Sequence, residues 1–263
     1  MTLATQNVSL SLGKRRVLDA VSITLILGEV TVILGPNGAG KTSLIRLLAG
    51  LIAPETGSVT LDGALLTTLG PMERARRIGY LPQNGAPAWN VSARELVGLG
   101  RLPHRSRFSA PTPIDEAAID AALAATDAGH LADRTMDAMS GGERARVLLA
   151  RVLAGQPSWL LADEPLASLD PAHQLDILAL LRAQAERGIG VVAVLHDLTQ
   201  AARLADQIIL LKGGMLIAAG SLADVLTAPL LARTFGIAAE ITRAADGALM
   251  VVPIQRCAKA EIE

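Results

Sequence analysis

The sequence predicts an α/β fold with a mainly parallel core sheet, an antiparallel β subdomain toward the N-terminus and an inserted α-helical subdomain. Three observations lead there. Short, mostly apolar runs recur at residues 30–34, 159–162, 191–195 and 208–211, as expected of strands buried on both faces of a sheet. Helical patterns separate several of them. Residues 92–154 are dominated by helical patterns, with no strand pattern among them.

In chain order, Val8, Leu10 and Leu12 alternate with polar residues until Gly13-Lys14, and Val21, Ile23 and Leu25 alternate again. This period of two reads as an antiparallel pair. The VTVIL run follows, then a helix over 42–51. Pro103, Pro111 and Pro113 bracket a loop before PIDEAAIDAALAAT, an amphipathic helix with acidic residues at its positive end. A further helix is expected over 172–186, and Asp246-Gly247 predicts a hairpin in the tail. The expected organisation is one domain over 1–263. Residues 1–85 and 156–240 form the α/β core with its β subdomain, 86–155 the helical subdomain, and 241–263 the C-terminal hairpin and tail.

Composition narrows the function. With 51% hydrophobic residues among 263, a sizeable core is available and disorder is not expected. A net charge of −1 and 2% aromatics give no electrostatic or stacking basis for binding nucleic acid. A single cysteine, Cys257, permits no internal disulfide and fits a reducing compartment. The first residues lack the apolar stretch after positive charge that marks a secretory signal. Mean hydropathy is +0.40, yet the longest charge-free run, 78–93, contains Gln83, Asn84, Asn90 and two prolines. About 20 consecutive apolar residues are needed to span a bilayer, so no span is expected. The apolar excess reflects an alanine- and leucine-rich core or a surface docked on an apolar partner.

Two phosphate-binding devices stand out. Gly35-Pro36-Asn37-Gly38-Ala39-Gly40-Lys41-Thr42, followed by Ser43, fits G-x-x-x-x-G-K-[ST] between a buried-type strand and an apolar-periodic helix. Its glycines allow backbone N–H groups to surround phosphates, Lys41 brings a charge, and the Thr42 hydroxyl suits Mg²⁺. Such a loop needs an acidic partner on a neighbouring strand. Asp163 and Glu164, just past 159–162, supply it: Asp163 for the metal, Glu164 to polarise an attacking water. The second device is MSGGERAR at 139–146, a serine and two glycines opening a helix. Arginines at a helix start oppose the dipole by about 0.3–1 kcal/mol each, which Glu143 partly offsets. Arg144, Arg146 and Arg151 form a solvated face, or Arg144 senses phosphate. Two chains arranged head to tail would let each lend its second device to the other's P-loop.

At this point the sequence resembles the ATP-binding cassette (ABC) family over nearly its whole length. GPNGAGKT looks like Walker A, LLADE like Walker B, and SGGE like the signature, usually SGGQ. Gln83 in YLPQN matches the Q-loop, Ser168-Leu169-Asp170 the D-loop, and His196 in VLHD the switch histidine. Lys41 stands 99 positions before Ser140, Ser140 23 before Asp163, and Asp163 33 before His196, in the family order. The resemblance implies a RecA-like core of the P-loop NTPase class and ATP and Mg²⁺ as cofactors. It also implies a homodimer in which Ser140, Gly141, Gly142, Glu143 and Asp170 face the partner's nucleotide. Gln83 would contact Mg²⁺ and His196 the γ-phosphate. His104, His130 and His173 lie in separate segments and are not expected to form a metal site.

Two departures from the family pattern are visible. Leu12, in Ser11-Leu12-Gly13, stands where an aromatic residue usually stacks on adenine. Glu143 replaces glutamine, as in some haem-type importers, and is not expected to inactivate. VGLGRLPHRSRFS, HLADR and LHDLTQAARLADQIILLKGG resemble ATPases of iron-siderophore, haem and cobalamin importers. The implied partners are transmembrane permease subunits and, indirectly, a substrate-binding protein, with the ATPase held peripherally at the cytoplasmic face of the membrane. A permease helix is expected to dock between the Gln83 loop and the insert, near Trp89 and Leu96. A metal-ion importer or a two-component exporter ATPase is the alternative. A soluble DNA-repair or translation ATPase would carry features missing from this sequence, and an inactive cassette would lack Lys41, Glu164 or His196.

Overall fold

The computed structural model describes residues 1–83, 90–106, 109–245 and 247–257. The chain opens with β1 (Thr2–Leu12), β2 (Arg15–Ile26), β3 (Val30–Leu34), α1 (Lys41–Leu48), β4 (Thr56–Leu61) and β5 (Ala64–Leu65). Then come α2 (Pro71–Arg77), β6 (Ile78–Leu81), α3 (Ala93–Gly98), α4 (Pro113–Ala125), α5 (Gly141–Ala154), β7 (Trp159–Asp163), α6 (Pro171–Glu186) and β8 (Gly190–Val194). The remainder is α7 (Leu198–Leu204), β9 (Gln207–Lys212), β10 (Met215–Ser221), α8 (Leu222–Val225), α9 (Ala228–Phe235), β11 (Ile237–Arg243) and β12 (Leu249–Arg256).

Two compact units divide the chain: 1–68 with 192–263, and 69–191. The division is not drawn at the 86–155 bounds read from the sequence, because β6, β7 and α6 group with the helices of the second unit.

In the first unit an antiparallel sheet runs β2-β1-β4-β5, and core strands run β10-β9-β3-β8. β2 alternates exposed and buried residues along its second half, whereas β3 is buried at every position. That contrast is the sequence difference between a sheet wetted on one face and a strand covered on both. β3 pairs with β9 in parallel, Val32 opposite Ile208. β11 and β12 form the predicted terminal hairpin, Ile241 opposite Val251. It begins at Ile237, earlier than expected, and its Asp246 lies outside the described residues. α1 ends at Leu48, short of the expected 51, because Gly50 takes a left-handed φ of 66° and the helix cannot continue through it.

In the second unit β6 and β7 pair in parallel, Tyr80 opposite Leu161. Helix α5 packs against α3, α4, β6 and α6. Among the described residues of 92–154 the only extended pairing is a single bridge, Ser92 to Thr135, so the helical reading of this stretch holds. Trp159, at the start of β7, is 1% exposed, and a side chain at Gly190 would lie 2.4 Å from its ring.

Candidate active site

The strand β3 delivers the P-loop. Within the loop, the Ala39 N–H donates to Pro36 O at 3.1 Å, closing a tight turn. Gly40 has φ 99° and occupies the N-cap position of α1, where no side chain caps the helix. A Cβ at Gly40 would stand 2.4 Å from Val17 O, so only glycine lets the loop pass β2 this closely. An N-terminus left without a side-chain cap is the backbone arrangement that receives anions. Lys41 is buried, its Nζ donating to Gly35 O at 2.8 Å and Pro36 O at 3.2 Å. Thr42 and Ser43 follow in the first turn of α1. Arg15 reaches Gly38 O at 3.4 Å from the start of β2. Leu12, at the end of β1, is 58% exposed. His196 is exposed just after β8, and Asp197 beside it caps α7 by accepting from the Gln200 N–H.

In the second unit Asp163 is the last residue of β7 and fully buried, so the strand carries the first carboxylate instead of ending before it. The Tyr80 hydroxyl donates to Asp163 Oδ2 at 3.1 Å. Glu164 follows with φ 52°, a left-handed conformation that costs a non-glycine residue about 1–3 kcal/mol and marks functional turns. Its Oε2 accepts from the Gln83 side-chain amide at 2.5 Å. Ser168 is also left-handed, at φ 62°, and Asp170 caps α6 by accepting from the His173 N–H.

Ser140 caps α5. Its hydroxyl accepts from the Glu143 N–H at 3.3 Å, and the Glu143 carboxylate accepts from the Ser140 N–H at 2.8 Å, a complete capping box. Hydrogen bonding from the Ser140 backbone, then from its hydroxyl and from Arg134, holds the Glu143 carboxyl below its ordinary pKa. Gly142 faces the His173 ring, which a Cβ would approach to 2.4 Å. Gln83, Gly141, Arg144, Glu164, Ser168 and Leu169 help line one cleft of about 330 Å³. The structure therefore brings the Q-loop glutamine, the second carboxylate and the signature turn onto one cavity.

A family model described as ABC transporter matches residues 18–167, more than half of the chain. The chain belongs to the ABC transporter family.

The cassette is 40% identical over 255 residues to the ferric enterobactin transport ATP-binding protein FepC of Escherichia coli (strain K12), covering 96% of the chain and 94% of the relative. It is 46% identical over 237 residues to the hemin import ATP-binding protein HmuV of Pseudomonas entomophila (strain L48), covering 88% and 91%. Its structure matches that of a metal-chelate type ABC transporter in an inward-facing conformation, with a TM-score of 0.85 at 26% identity, covering 96% of the chain and 97% of that chain. The cassette is an ATPase, and the P-loop NTPase fold class read from the sequence is the one observed. No helix among the described residues is long and apolar enough to cross a membrane, and no group of three or more His, Cys, Asp or Glu side chains placed to hold a metal occurs among them.

Some expectations change. Leu96 is 1% exposed, packed inside the helices, so it offers nothing to a docking permease; Trp89 lies outside the described residues. Arg151 is only partly exposed, and burial pushes its pKa below the ordinary value. Arg144 donates to Met136 O and Met139 O, bracing the segment before Ser140. Arg146 bridges Asp127 and Asp176. The GRLPH stretch grips the far end of the signature helix: Arg101 donates to Ala154 O at 2.8 Å, and a His104 ring nitrogen meets Gly155 O at 2.8 Å. Sequence reasoning missed Tyr80 and His173. The place of Tyr80 in YLPQN, three residues before Gln83, was the one available signal.

Proposed function

We propose that this cassette energises import of an iron chelate, a ferric siderophore or haem, through separate permease subunits at the cytoplasmic face of the membrane, with a substrate-binding protein delivering the cargo. The observation that carries this reading is the match over nearly the whole chain to relatives named for ferric enterobactin transport and hemin import. The local chemistry fits ATP and Mg²⁺: an uncapped helix start behind glycines in the P-loop, a buried lysine, and oxygen donors on Thr42, Asp163 and Gln83 of the hard type that Mg²⁺ prefers.

Gly35 through Ser43 surround the phosphates with backbone N–H groups, and Lys41 offsets their charge. Thr42 and Asp163, with Gln83, would hold Mg²⁺, which would supply positive charge to offset that of the phosphates. Glu164 orients the attacking water and accepts its proton, and His196 contacts the γ-phosphate. Ser140, Gly141, Gly142, Glu143 and Asp170 act on the nucleotide held by a second copy of the chain, so the working form is a homodimer. Closure of that dimer moves the permease, and hydrolysis releases it.

Reconstitution with its permease in vesicles, with the nucleotide on the cassette side, tests the assignment. ATP-dependent accumulation of a ferric siderophore or haem is expected. Transport of bare metal ions alone, or transport in the outward direction, overturns it.

A further inference from the structure

Tyr80 is the single tyrosine of the 263 residues, and its hydroxyl is bonded to the carboxylate assigned above to the metal. In the parallel pair of β6 with β7, Tyr80 stands opposite Leu161. Alternate residues share one face of a strand, so Leu161 and Asp163 point the same way, displaced by about 6.6 Å along β7. A tyrosine leaning along the strand spans that distance; a phenylalanine would stop short of a hydrogen bond. The contact is 3.1 Å, from Tyr80 Oη to Asp163 Oδ2, and Asp163 is fully buried. A buried carboxylate needs such donors, and one fixed on Oδ2 also sets the rotation of the whole group. Three residues on, Gln83 holds Glu164. One short segment of chain therefore ties both adjacent carboxylates, one through a phenol and one through an amide.

We infer that Tyr80 is a positioning residue for Mg²⁺: by holding Asp163 Oδ2 it presents the carboxylate to the metal, and it links metal affinity to the strand that leads into the Gln83 loop. This rests on the assignment of Asp163 to Mg²⁺. Partners that orient metal ligands typically account for about 10–100-fold in affinity.

In Tyr80→Phe, the Mg²⁺ concentration giving half-maximal ATPase should rise about tenfold. Mn²⁺ binding to the complex with a non-hydrolysable ATP analogue, read by electron paramagnetic resonance, should weaken by a similar factor. Affinity for the same analogue in EDTA should stay unchanged, which a general packing defect would not permit. Asp163→Asn separates the two layers. If it leaves Mn²⁺ binding intact, the metal assignment of Asp163 fails and this inference with it. If it weakens Mn²⁺ binding while Tyr80→Phe matches the parent protein, only the role of Tyr80 is overturned. Should Tyr80→Phe not fold, the unsubstituted chain decides. Uniform 3-fluorotyrosine incorporation gives one ¹⁹F resonance, expected to shift when Mg²⁺ joins the analogue complex and not when the analogue is added in EDTA. No Mg²⁺-dependent shift overturns the inference.

Discussion

The side-chain amide of Gln83 donates to the Glu164 carboxylate at 2.5 Å, joining the Q-loop residue directly to the group assigned to the attacking water. While this bond stands, one carboxylate oxygen is committed to Gln83, and movement of the Q-loop is movement of the base. Glu164→Gln retains a carbonyl oxygen able to accept from Gln83, so the turn should keep its shape. It removes the base, so phosphate release should fall by at least about a hundredfold while ATP binding persists. With Mg·ATP the variant should run as a lasting dimer by size-exclusion chromatography. Hydrolysis at the parent rate would show that Glu164 is not the base.

The Ser140 hydroxyl serves the fold before it serves any phosphate, because it caps α5 in a closed exchange with Glu143. Ser140→Ala should therefore cost about 1 kcal/mol in urea unfolding. Ser140→Arg places a bulky cation at that turn. It should stop hydrolysis while leaving the affinity of an isolated chain for ATP unchanged, as measured by fluorescent-nucleotide titration. Retained turnover would remove the role in trans.

These assignments differ in how far the sequence discloses them. The P-loop was legible because phosphate chemistry demands particular residues within nine consecutive positions, with a strand before and a helix after. Asp163 and Glu164 were legible for the same local reason, although the strand runs one residue beyond its apolar pattern. Tyr80 was not, since its partner is 83 positions away and is reached only through the register of two parallel strands. The GRLPH stretch carries a resemblance of cargo class in the sequence, but does not disclose that its arginine and histidine hold carbonyls at the end of α5, a structural duty that depends on tertiary packing. Apolar periodicity continues through Leu51, beyond the end of α1, because the left-handed Gly50 stops the helix without breaking the pattern.

The contact of Gly142 with His173 predicts a sharp difference between two adjacent glycines. A Cβ at Gly142 would lie 2.4 Å from both Cγ and Cδ2 of the ring, atoms too near the backbone to swing aside cheaply. At Gly141 the nearest atom is Leu169 Cδ2 at 3.7 Å, an ordinary contact. Gly142→Ala should lose about 1–3 kcal/mol in chemical denaturation, as overpacking does. Gly141→Ala should change stability by no more than about 0.5 kcal/mol. Equal effects at the two positions would refute the packing described for the signature turn.

Arg101 and Asp115 form a buried pair at 2.9 Å, with side chains 4% and 5% exposed. The Asp115 carboxyl is held near a pKa of about 2, down from 3.8, first by the Thr112 backbone N–H, then by Arg101 and the Thr112 hydroxyl. A carboxyl whose pKa is depressed on folding contributes stability above its unfolded value and loses it as pH falls through the folded one. The contribution should thus be complete above about pH 4 and fade toward pH 2. Asp115→Asn lacks this titration and leaves the Arg101 charge buried without its counter-ion. Its melting temperature should lie below that of the parent at pH 6, and the gap should narrow progressively as the buffer is taken from pH 4 toward pH 2. A gap that stays constant across that range would mean that the ionised form of Asp115 is not what holds Arg101, the start of α4 and the end of the signature helix together.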